Sequence, residues 1–124
     1  MDTALWILQV LLALAFLAAG LTHATQRDKS LERMAWMLAV PKPLLTTIGI
    51  LEVAGAAGLV LPPVTGIALW VTPLAAALLA LLLVFAAVFH LRRAGEGRNA
   101  AMNLILGALA AFLAYGRLVL APYV

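Results

Sequence analysis

The chain has 124 residues, of which 66% are apolar and 10% charged; a soluble domain draws its polar coat from about a quarter of its residues, and too few charges are present here to supply one. The net charge of +3 arises from eight basic and five acidic residues, and because the basic ones flank apolar stretches instead of gathering on a soluble face, a nucleic-acid partner is excluded. There is no cysteine, which removes disulfide, thiolate and iron–sulfur chemistry.

Four apolar stretches account for the composition, and they predict spans at about 4–23, 44–61, 66–90 and 100–120. Each is close to or above the roughly 17–25 residues a helix needs to cross a hydrocarbon core, and a helix satisfies its own backbone groups there. The expected fold is all-α: an integral membrane antiparallel four-helix bundle, one domain over 1–124. The first stretch reads as a span and not a signal peptide, because Met1-Asp2-Thr3 has no Lys or Arg and Gly20-Leu21-Thr22-His23 is a poor cleavage site. No stretch alternates polar with apolar residues, which argues against a barrel.

After the first span, Ser30 can open a short helix over 30–39 in which Leu31, Met34, Met37 and Leu38 share an apolar stripe with Trp36 at its border. Such a helix would lie in the interface and end at Pro41 and Pro43; an irregular loop with anchoring side chains is the alternative. Pro62-Pro63 is expected to turn the chain tightly, making spans two and three a hairpin. Pro73 either kinks the third span or marks a start near Val71. Apart from Arg117, the basic residues lie in two connections: Arg27, Lys29, Arg33 and Lys42 in the first, and Arg92, Arg93 and Arg98 in the third. The Lys/Arg bias places both connections in the cytoplasm and both termini outside it, in a bacterial-type inner membrane.

Polar residues recur inside the spans at intervals of three and four, hence on one helix face. Gln9, Ala13, Phe16, Gly20 and His23 share a face in span one, and Gly49, Glu52 and Ala56 in span two. Ala76, Ala80, Leu83, Ala87 and His90 do so in span three, and Asn103, Gly107, Ala110, Ala114 and Arg117 in span four. Small faces permit close helix approach and polar groups turn away from lipid, so a bundle with a polar interior seam is predicted. Its candidate site residues are Glu52, Gln9, Arg117, His23, His90 and Asn103.

Glu52 lies near the middle of its span, where a lipid-facing carboxylate costs about 2.5 kcal/mol or more. It must be protonated, paired or solvated, and the mostly protonated state is the reading adopted. With flush helix ends, His23 and His90 stand near the cytoplasmic surface and Glu52 about 12 Å deeper. Arg117 is then offset from Glu52 by roughly 13 Å, so it either snorkels outward or reaches inward through water. Two histidines and one distant carboxylate are a weak metal set, and none is assigned; nucleotide-binding loops are also missing.

Several of these segments together resemble the DoxX-like family of small four-span membrane proteins: Leu11 to Leu21 at the end of span one, Ile48 to Pro62 through span two with its Gly-x-x-Glu and Leu-Pro, Phe89-His90-Leu91-Arg92-Arg93, and Tyr115-Gly116-Arg117. Members commonly carry Lys three residues after the glycine ending the first motif, where this chain has His23. At its most concrete the resemblance implies the small subunit of a membrane quinone-reducing oxidase, with a quinone as its cofactor.

Three functions are expected to compete. The first is a binding or accessory module, not catalytic on its own, that holds a lipophilic small molecule such as a quinone or joins a redox complex. The others are a small proton-coupled transporter, and a structural partner of another membrane protein or of a second copy, all in contact with membrane lipid.

Overall fold

The computed structural model describes residues 1–25, 36–37 and 39–122. Four long helices run up and down: α1 (Asp2–Thr25), α2 (Lys42–Thr65), α3 (Val71–Leu91) and α4 (Gly97–Tyr115), the last continued by a wider π-helical turn over Gly116–Leu120. By length and composition all four can cross a membrane, and the all-α four-helix bundle read from the sequence is the fold observed. Residues 30–35 and 38, most of the expected interfacial helix, lie outside the described residues. Trp36 and Met37 occupy a tight turn, and Val40 N–H donates to the Met37 carbonyl at 3.4 Å.

The predicted inward faces are the faces that pack. Gln9, Ala13, Phe16 and Gly20 of α1 are buried, as are Gly49, Glu52 and Ala56 of α2, Ala76, Leu83, Ala87 and His90 of α3, and Gly107, Ala110 and Ala114 of α4. Leucines fill the surroundings, with Leu5, Leu12, Leu59, Leu79 and Leu113 in one continuous core. Helices α1 and α2 touch backbone to backbone: a Cβ placed on Gly49 would stand 2.5 Å from the Gly20 carbonyl oxygen and 2.6 Å from the Ala24 nitrogen. Only glycine permits that approach.

Helix α2 departs from expectation at its end. It does not stop at Pro62-Pro63 but runs through both to Thr65, and the turn is made by Gly66 at φ 74° and Ala68 at φ 53°. Gly66 N–H closes the helix on the Pro62 carbonyl at 2.8 Å. A proline inside a helix leaves the carbonyl four residues earlier without its N–H, which here orphans Gly58 and Leu59. Both are satisfied from outside: Thr72 Oγ1 of α3 donates to the Gly58 carbonyl at 2.8 Å, and Gln9 Nε2 of α1 donates to the Leu59 carbonyl at 2.8 Å. The prolines thus tie α2 to both neighbours. Of the two readings for Pro73, the structure takes the start at Val71, with the proline in the first turn, where its missing N–H costs nothing.

Candidate functional site

The polar seam divides into two separate clusters. Towards the termini, Arg117 is wholly buried at its side chain and is gripped from several sides. Its Nε donates to Gln9 Oε1 at 2.5 Å, and its Nη1 donates to Asp2 Oδ1 at 2.6 Å and to the Ala121 carbonyl at 3.0 Å. Its guanidinium also lies 5.9 Å from the centre of the Trp6 ring. The π-helical turn that carries it closes with Ala121 N–H on the Gly116 carbonyl at 2.8 Å. Arg117 therefore neither snorkels away from the protein nor reaches Glu52. Because Gln9 serves Leu59 with its amide nitrogen and Arg117 with its oxygen, this cluster is saturated and acts as a clasp holding α1, α2 and the end of α4 together.

The second cluster lies at the end of the bundle that carries the basic connections. Glu52 Oε1 and His23 Nδ1 are 2.5 Å apart, with side chains 5% and 15% exposed. The expected separation of about 12 Å assumed flush helix ends. Instead Gly49 packs at the level of Gly20 and Ala24, so α2 begins well beyond the end of α1, and the glutamate is only about one helical turn deeper than the histidine. Glu52 is therefore hydrogen-bonded directly to a histidine of the neighbouring helix, a partner that the axial offsets had placed out of reach.

His90, at the end of α3, is 4% exposed. Its Nδ1 stands 2.7 Å from Glu96 Oε1, while Arg93 Nε donates to Glu96 Oε2 at 2.5 Å. Burial pushes the Glu96 carboxyl up, but the hydrogen bonds and charges of Arg93 and His90 outweigh it and hold the group below its ordinary value of 4.5. Each imidazole is thus anchored through Nδ1 to a carboxylate, which fixes the ring and leaves Nε2 as the nitrogen for any further partner. Trp36 links the two: its ring meets His23 edge-on at 5.2 Å and His90 edge-on at 5.0 Å.

Around these groups is a cavity of about 510 Å³, within the range of small-molecule pockets. Helix α1 contributes Phe16 and His23, α2 contributes Leu45 and Glu52, α3 contributes Leu83, Phe89 and His90, and α4 contributes Asn99, Asn103 and Leu106. Of the six candidate residues, Glu52, His23, His90 and Asn103 therefore meet at one cavity, and Gln9 and Arg117 do not belong to it. The sequence reading missed Asn99, one turn from Asn103, because the fourth span was started after it. It also missed Glu96, Thr72 and Asp2, whose roles depend on which helix faces which. Among the described residues no group of three or more His, Asp or Glu could hold a metal ion.

The cavity is thus mainly apolar, holds a few convergent polar groups and lies between the four membrane-spanning helices. No curated protein and no solved structure matches the chain. The family model of the DoxX-like family matches residues 7–113, a stretch that contains the Gly49–Glu52 segment, both histidines and all of the cavity-lining residues, and the chain accordingly belongs to the DoxX-like family.

Proposed function

We propose that the protein is a membrane-embedded binding module for a lipophilic molecule with a hydrogen-bonding head group, of which a quinone is the class implied by the family. The observation that carries this reading is the cavity itself: the His23–Glu52 pair, His90 and the Asn99 and Asn103 amides converge on a space otherwise walled by apolar side chains. The opposite half of the bundle is filled by the leucine core and the Arg117 clasp. That one-sidedness supports holding a ligand over passing one through.

With the basic connections in the cytoplasm, the cavity lies in the cytoplasmic half of an inner membrane. A head group in the cavity would meet His23–Glu52, while its hydrocarbon part would lie against Leu82, Phe85 and Leu106. Mass spectrometry of organic extracts from the purified protein is expected to find a stoichiometric lipophile, reduced several-fold in Glu52→Gln. The variant's thermal stability, measured on the same preparation, separates lost binding from lost fold. Extracts of the folded wild type with no lipophile beyond ordinary phospholipid would reject the proposal.

A further inference from the structure

The two hairpins are equivalent halves. In α1 and α3, Gln9, Leu12, Phe16, Gly20 and His23 stand in constant register with Ala76, Leu79, Leu83, Ala87 and His90. All are buried except His23, whose side chain is 15% exposed. In α2 and α4, Gly49, Glu52, Ala56 and Leu59 correspond in the same way to Ala100, Asn103, Gly107 and Ala110. Helices α1 and α3 run in one direction and α2 and α4 in the other, so the two halves share one topology and one register of inward positions. Trp36 touches both equivalent histidines at nearly equal distances, 5.2 and 5.0 Å, and lines the cavity between the halves.

The halves differ where it matters chemically. In the first, His23 is bonded to Glu52 from the inner face of α2. In the second, the place of Glu52 is taken by Asn103, and His90 is bonded instead to Glu96 outside the helices. Among the described residues the Asn103 amide has no hydrogen-bond partner, nor has Asn99 one turn away, although both line the cavity. Uncommitted amides in a membrane helix call for a partner of their own. One half therefore offers a hydrogen-bonded imidazole–carboxyl pair, and the other offers a neutral amide that can donate.

Resting on the binding function proposed above, we infer that the cavity takes a two-ended ligand: a lipophile built on a flat ring, with a hydroxyl facing His23–Glu52 and a carbonyl facing Asn103. The aromatic walls, Phe16, Trp36, Phe85 and Phe89, suit a ring. Asn103 is then a specificity-determining residue.

The test uses three probes on the full chain in detergent, with Trp6 and Trp70 replaced by Phe so that Trp36 alone reports binding. Octyl para-hydroxybenzoate carries both polar groups, octyl para-methoxybenzoate lacks the donor, and para-octylphenol lacks the carbonyl. The first is expected to bind about tenfold more tightly than either of the others, on the scale of one hydrogen bond in an apolar site. In Asn103→Leu its advantage over para-octylphenol should vanish while its advantage over the methoxy ester remains. Equal binding of the three probes to the wild-type pocket, or an unchanged carbonyl preference in Asn103→Leu, would overturn the inference while leaving a lipophile-binding function standing. If no probe binds but a native lipophile is extracted, the two-ended class is wrong. If no probe binds and no lipophile is extracted, the binding function itself fails.

Discussion

The carbonyls of Gly58 and Leu59 are each rescued by a single side chain, and this makes the role of Thr72 measurable. Thr72→Val should lower stability by about 1–3 kcal/mol, the usual range for stranding a buried acceptor. Pro62→Ala returns a backbone N–H to the Gly58 carbonyl, so in that background the same substitution should cost much less. Thermal unfolding of the four proteins forms a double-mutant cycle; a cost for Thr72→Val that Pro62→Ala does not change would show that the hydroxyl acts elsewhere. Glu96 offers a second measurement. Its carboxyl is held below 4.5 in the folded protein, so it binds protons less readily folded than unfolded, and its stabilisation is present above that value and lost as the pH falls through the folded pKa. Stability of the wild type should therefore drop on acidification below about pH 4.5 more steeply than that of Glu96→Gln. Parallel acid limbs in detergent unfolding curves would remove Glu96 from the account.

Contact between elements is most demanding where α1 meets α2. A methyl on Gly49 would collide with backbone atoms of Gly20 and Ala24, whereas one on Gly107 meets Leu83 Cβ at 3.4 Å and the Ala80 carbonyl oxygen at 3.7 Å, both ordinary contacts. Gly49→Ala is expected to destabilise the bundle by several kcal/mol and Gly107→Ala by less than about 1 kcal/mol. Equal melting temperatures for the two would contradict the backbone-to-backbone packing. That difference was hidden in the sequence, where both glycines sit on small inward faces and look alike. The faces themselves were legible, since the spacing of Gln9, Phe16, Gly20 and His23 can be read against helical geometry without knowing any neighbour. What could not be read was the axial register between helices. The His23–Glu52 pair was hidden because the overhang of α2 depends on where two glycines interlock. The helical course of Pro62-Pro63 was hidden because its donors belong to α1 and α3.

For the molecule as a whole, the basic residues flanking the cavity end give an orientation that labelling can check. A cysteine introduced at Gly95, an exposed loop position, should be protected from an impermeant reagent added to intact cells, and one at Thr3 should react. The reverse pattern would turn the bundle over and put the cavity in the other leaflet. Several residues that line the cavity, among them Leu44, Phe85 and Met102, are also exposed on the outside of the bundle. Its rim is thus shared with the surface that lipid covers, so a ligand of the proposed class would enter sideways from the leaflet without passing through water. Occupancy would then follow the ligand's mole fraction among the surrounding lipid or detergent molecules. Diluting a fixed amount of ligand with more detergent should empty the site even though the concentration of ligand in the tube is unchanged.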